Sequence, residues 1–202
     1  MRELCTIIGV GPGLGRALAL RFSQEYDVAM IARSPGKLNE YQMDMPNTYS
    51  HPCDVSNFEE FRYRLRKIHE GRMSNVLIYN AATMGKSSID MRAEDAVDHY
   101  KVGVLGALVA VQESPMKEGS ILLTGGNFAE EPDPAYVSLS LAKAGLHTLA
   151  QMLAKQLPRI HVATVTIGGR IELGTERDPH ALARVYWALH KETTSWTREI
   201  YK

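Results

Sequence analysis

The chain has 202 residues, 45% hydrophobic and 23% charged, enough for one well-buried domain and small for two, so a single domain over 1–202 is expected. Lysine plus arginine balances aspartate plus glutamate at 23 each, so no overall field favours nucleic acid or an anionic membrane as partner. No apolar run approaches the ~20 residues of a membrane span, and a strand expected from about residue 4 leaves no room for a signal peptide, which points to a cytoplasmic protein.

Leu4-Cys5-Thr6-Ile7-Ile8 is an apolar run of strand type, followed directly by Gly9-Val10-Gly11-Pro12-Gly13-Leu14-Gly15. Residues without a Cβ let the backbone turn sharply out of a strand and approach a pyrophosphate, which the N–H groups and positive end of the next helix bind. Spacing alone leaves a plain strand-to-helix turn open. Leu14, Ala17, Leu18 and Phe22 recur at helical spacing and would pack the following helix on the sheet. Val28-Ala29-Met30-Ile31-Ala32 reads as a second parallel strand, ending in Ala32 and Arg33 where a ribose-reading residue belongs. A carboxylate there would accept from the 2′-hydroxyl of NAD, whereas an arginine pairs with the 2′-phosphate of NADP, so NADP(H) is favoured over NAD(H). A solvated loop cation is the alternative for Arg33.

A helix is expected from Pro35 to Tyr41, then a short, polar edge strand near 49–53. Ser56-Asn57-Phe58-Glu59 has capping-box form, with Phe58, Phe61, Leu65 and Ile68 as the buried stripe of the next helix. Cys5 and Cys53 lie in or beside strands without paired spacing and read as buried thiols; no metal site is expected. Val76-Leu77-Ile78-Tyr79 is a central-strand run, followed by Asn80-Ala81-Ala82 and a long helix over about 91–112. A fifth strand, 121–124, ends in Gly125-Gly126. Asp133-Pro134 looks like a cap and first-turn proline opening a helix to about Gln156. Residues 161–167 form a sixth strand, Asp178-Pro179 caps a helix carrying Leu182, Val185, Tyr186 and Leu189, and 199–201 is a last short strand. About seven strands alternating with helices predict an α/β, Rossmann-type doubly wound parallel sheet with helices on both faces.

Taken together, these motifs resemble the short-chain dehydrogenase/reductase family through nearly the whole chain. Gly9, Gly13, Leu14 and Gly15 match its cofactor loop, Cys53-Asp54-Val55 looks like its adenine-contacting Asp-Val, and Asn80-Ala81-Ala82 resembles the Asn-Ala-Gly after its fourth strand. Leu141-Ala142-Lys143-Ala144-Gly145-Leu146 is similar to the segment around a lysine that holds the nicotinamide ribose and lowers the pKa of a tyrosine. The resemblance therefore implies cofactor contact by Lys143. Gly168-Gly169-Arg170-Ile171 resembles the turn in which the backbone at Ile171 reads the nicotinamide carboxamide.

Departures from the family bear on activity. The catalytic tyrosine position, four residues before the lysine, holds Leu139; the serine position holds Gly126 and the asparagine position Gly103. A positioned acid is worth ~10²–10⁴ in rate, which leucine cannot supply. Tyr136 precedes Lys143 by seven residues, about 700° on a helix, which would put both on one face. The spacing is similar to that of the enoyl-thioester reductase branch, whose second aromatic near Gly126 is not read here. Only residues 168–178 separate the sixth strand from the last helix, a short substrate lid, and Glu130, Glu131 and Asp133 form an acidic loop that would disfavour anionic substrates or lie solvated. The expected function is an NADP(H)-dependent oxidoreductase acting on a small carbonyl or enoyl substrate, with Tyr136 and Lys143 catalytic. The alternative is a non-catalytic NADP(H)-binding sensor or assembly subunit. A homodimer or homotetramer is expected by resemblance, with Val102, Val104, Leu105, Leu108 and Val109 either offering apolar surface for it or buried inside the domain.

Overall fold

The computed structural model describes residues 2–192 and 199–201. Seven strands form one parallel sheet: β1 (Leu4–Ile8), β2 (Asp27–Ala32), β3 (Thr48–Pro52), β4 (Ser74–Tyr79), β5 (Gly119–Thr124), β6 (Ile160–Thr166) and β7 (Glu199–Tyr201). Their order is β3-β2-β1-β4-β5-β6-β7, as the doubly wound reading predicts. The order reverses beside β1, and this is where such sheets open a ligand crevice at the carboxyl ends of their strands.

Both faces of the central strands are buried, because successive side chains point to opposite helical layers. Cys5, Ile7, Val28, Met30, Val76, Ile78 and Leu122 join a core with α1 (Leu14–Phe22), α2 (Pro35–Asp44) and α7 (Pro179–Lys191). Ile8, Ile31, Leu77, Tyr79, Ile121 and Leu123 join the opposite core with α3 (Phe58–Ile68), α5 (Gly106–Glu113) and α6 (Val137–Gln156). β3 is an edge strand, which suits its polar sequence.

The structure departs from local sequence expectation at the start of α3, in the long helix and before α6. The capping residue of α3 is Asn57, whose Oδ1 accepts from Glu60 N; the Ser56 hydroxyl donates to Asp54 instead. The long helix is interrupted: α4 (Ala93–Tyr100) runs through a π-helical turn, Lys101–Leu105, into α5. At this turn the buried Tyr79 hydroxyl donates to the Val102 carbonyl, and Gly106 leaves the space the hydroxyl occupies. Val104 and Val109 are buried inside the chain, the second of the two readings open for them.

Tyr136 lies just outside the helix that carries Lys143. Asp133-Pro134 opens a turn rather than a helix: the Asp133 carboxylate accepts from Ala135 N at 2.7 Å, and its carbonyl from Tyr136 N at 2.8 Å. Helix α6 begins at Val137, leaving Tyr136 as its N-cap with φ −138° and ψ 44°. The helical-face argument for pairing Tyr136 with Lys143 therefore does not apply.

Candidate functional site

The carboxyl ends of β1, β2 and β4 surround a cleft of about 310 Å³. Its floor is the glycine loop. Gly9 has φ +91°, a conformation that side chains rarely adopt, and a Cβ on it would strike the backbone of Asn80 and Ala81. A Cβ on Gly15 would meet Val10 Cα at 2.7 Å, so this glycine lets α1 close on the loop. Gly11 and Gly13 have nothing within 4 Å of their Cβ positions, and Gly11 lines the cleft. Helix α1 starts beside it with Gly13 as N-cap and no acidic residue in its first turn, leaving its positive end without a side-chain cap. This cradle suits a phosphate.

Of the residues expected to hold cofactor, Gly9, Arg33, Asp54, Val55, Asn80, Ala81 and Ala82 come together around this cleft. Gly13, Leu14, Gly15, Lys143 and Ile171 do not line it. Leu14 is buried in the core, so only its backbone remains for a ligand, and Ile171 packs against the α1–α7 core. Ser34, Lys37, Cys53, Thr83 and Val102 also line the cleft and were not anticipated. Lys37 lies in the first turn of α2 whereas Arg33 precedes the helix, so no spacing in the sequence joined the two.

Charge is distributed in the cleft according to its neighbours. Burial works to raise the Asp54 pKa, but the two Ser56 hydrogen bonds, at 2.9 and 2.8 Å, and the charge of Arg33 outweigh it and hold the pKa below the ordinary carboxylate value. Burial pushes the Cys53 thiol up to about 11, which keeps it protonated and unreactive at neutral pH.

A hydrogen-bonded chain runs from this cleft to the β5 rim. Asn80 Nδ2 donates to Gly9 O at 2.8 Å, its Oδ1 accepts from Thr124 Oγ1 at 2.9 Å, and Thr124 Oγ1 lies 2.7 Å from the Tyr186 hydroxyl. Thr124 O in turn accepts from Lys143 Nζ at 2.7 Å. Lys143 is half-buried, and desolvation pulls its pKa down to about 8. Its stem runs past Gly126, whose Cβ position lies 3.3 Å from Lys143 Cε.

Around Lys143 the positions at which the resemblance expects catalytic side chains are closely packed. Leu139 is 2% exposed, and a Cβ on Gly103 would come within 2.8 Å of Ala142 Cβ. The Tyr136 ring stacks on Phe128, with centroids 5.3 Å apart and planes at 19°. Phe128 thus provides an aromatic near Gly126 that sequence reading missed. Ser138 donates to Ser87 Oγ at 3.0 Å and meets His99 Nδ1, joining α6, α4 and the loop after β4.

Comparison with known proteins agrees with this geometry. Residues 3–172 match the family described as short chain dehydrogenase. A 3-oxoacyl-[acyl-carrier-protein] reductase of Mus musculus is 23% identical over 168 residues, covering 79% of this chain and 71% of that protein. A short-chain dehydrogenase from Rhodopseudomonas palustris superposes with TM-score 0.88 at 24% identity, covering 99% of this chain and 97% of that one. A metagenomic short-chain oxidoreductase in complex with NADP gives TM-score 0.88 at 19% identity, with 99% and 96% covered.

Proposed function

The chain belongs to the short-chain dehydrogenase family, and from that premise we propose that it is an NADP(H)-dependent oxidoreductase acting on a small carbonyl or enoyl compound. The carrying observation is the cleft in which Arg33, Ser34 and Lys37 face the same space as the glycine loop. The open positions at Gly11 and Gly13 fit a dinucleotide's phosphates, and the two cations fit an additional 2′-phosphate. When bound, the nicotinamide ring supplies or accepts the hydride.

In this reading the N–H groups from Gly13 to Gly15 hold the diphosphate. Asp54, Val55 and Asn80–Ala82 line the adenine and ribose side, and the backbone at Ile171 faces the carboxamide. Lys143 holds the second ribose, and its pKa of about 8 lets it exchange a proton near neutrality. Tyr136 is the proposed proton donor, its ring fixed by Phe128. All seven strands enter one sheet, which supports a single cofactor-binding domain. Exposed Val97, Tyr100 and Leu141, on the packed pair α4 and α6, support a homodimer or homotetramer.

A second reading, a non-catalytic NADP(H)-binding protein, is favoured by one specific observation. The tyrosine and asparagine positions are occupied by core packing at Leu139 and Gly103–Ala142. Fluorescence titration with NADPH and NADH, followed by NADPH oxidation with carbonyl and enoyl panels, separates the two. Arg33→Ala is expected to weaken NADPH at least about tenfold while sparing NADH. Binding without turnover, indifferent to Tyr136→Phe, would sink the enzymatic reading; failure of both nucleotides to bind sinks both readings.

A further inference from the structure

The short loop between β6 and α7 contains a cation, Arg177, that no described residue neutralises. Among the described residues the Arg177 guanidinium has no hydrogen bond or ion pair, and its Nε is enclosed with no partner. A buried donor without an acceptor costs free energy, and a guanidinium held in this way matches a ligand carrying oxyanion acceptors.

The loop keeps Arg177 in place and keeps its own carboxylates away. Arg177 N donates to Thr175 Oγ1 at 3.1 Å, and Arg177 O accepts from Glu172 N at 3.2 Å, so the backbone on both sides of the side chain is tied down. Asp178 is engaged elsewhere, accepting from Gly174, His180 and Ala181 N–H groups. Glu172 and Glu176 are exposed and unpaired with Arg177.

A recess is built for the guanidinium. Gly169 has φ +133°, and a Cβ there would lie 3.1 Å from Arg177 Nε and 3.3 Å from its Cζ, so the absence of a side chain at 169 makes the space. Gly169 stands three residues after the end of β6, and β6 is in register with β5, whose last residue, Thr124, binds Lys143. The loop carrying Arg177 thus leaves the sheet beside the strand end that binds Lys143, on the side opposite Arg33 and Lys37 in the strand order, and Arg177 itself is not among the residues lining the cleft.

We infer that Arg177 is an oxyanion receptor on this side of the sheet, binding a carboxylate or phosphoryl group. The inference takes its placement beside the nicotinamide from the proposed NADP(H) site. Two sources share the chemistry, namely an anionic group on the substrate and the cofactor's own diphosphate.

The test follows the Arg177 Nε–Hε resonance in ¹⁵N-labelled protein, assigned by its loss in Arg177→Lys, which keeps the charge. Sodium pyrophosphate, oxalate and NADPH are titrated separately, and oxalate again with NADPH saturating, against sodium chloride as the ionic-strength control. A saturable shift with pyrophosphate and NADPH supports the cofactor source, and one with oxalate that persists under NADPH supports the substrate source. In either case Arg177→Lys, titrated alongside the parent protein and followed through the backbone amide resonances of residues 169–178, is expected to weaken the effective anion at least about tenfold, as expected for a hydrogen bond to a charged group. A resonance that moves with none of these anions, or no more than with chloride, overturns the inference. If NADPH fails to bind, the functional reading fails, while the pyrophosphate and oxalate titrations still decide the role of Arg177.

Discussion

Replacing Lys143 with methionine should stabilise the protein while damaging the proposed cofactor site. Burial lowers the folded-state pKa from 10.5 to about 8, whereas the unfolded lysine keeps the ordinary value. Between those values the unfolded chain binds more protons, so stability rises with pH across the window; below it the fold carries the whole cost of desolvating the ammonium. At about 1.4 kcal/mol per pKa unit the cost is about 3 kcal/mol at pH 7. Partial solvent exposure reduces it, and the lost Lys143–Thr124 hydrogen bond returns about 1 kcal/mol, leaving a net gain of roughly 1–2 kcal/mol for the variant. At about 2–4 °C per kcal/mol in a chain of this size, the ligand-free variant should melt roughly 2–8 °C higher at pH 7. Thermal unfolding by circular dichroism from pH 6.5 to 10.5 checks this, with the gap widest below pH 8 and closing towards 10.5. A variant that melts lower at pH 7, or a gap that ignores pH, would refute the reasoning. NADPH titration of the same variant should show weakened binding.

Tyr79→Phe removes the donor to the Val102 carbonyl in the π turn and leaves that oxygen without the hydroxyl. Urea unfolding should show a loss of about 1–3 kcal/mol, and an unchanged midpoint would mean that the hydroxyl does not hold the turn. Placing an asparagine at the position where the resemblance expects one, by Gly103→Asn, drives a Cβ towards Ala142 Cβ at 2.8 Å. We expect overpacking to cost about 1–3 kcal/mol in denaturant with no gain in NADPH oxidation, and a stable, faster variant would contradict this.

The sheet was legible because its strands are short apolar runs set between turn signals, and the glycine loop, Arg33, Asp54 and Asn80 sit at strand ends, which the strand pattern locates directly. What escaped were features decided by tertiary contact. The π turn depends on Tyr79 reaching Val102 from another element, and no periodicity within residues 91–112 encodes it. Asp133-Pro134 carries the chemistry of a helix start, yet the Asp133 carboxylate satisfies Ala135 N in a local turn, and the helix waits until Val137. The partnership of Phe128 and Tyr136, eight residues apart, likewise becomes visible only when both loops are folded. Lys37 was missed for a simpler reason, since a lysine early in a surface helix carries no signal until Arg33 is seen to face the same space.

The interruption at Lys101–Leu105 works as a phase shifter within one continuous rod. One residue advances an α-helix by roughly 100°, so a wider turn that absorbs an additional residue rotates everything before it relative to everything after. Upstream of the turn the rod therefore presents α4 to α6, with His99 meeting Ser138; downstream, α5 is presented to α3 and β4. An unbroken helix of the same sequence would keep one stripe along its length and could match only one of these neighbours. Deleting a single residue from the turn would remove the excess together with the bulge, leaving a regular helix whose two ends still face their present neighbours.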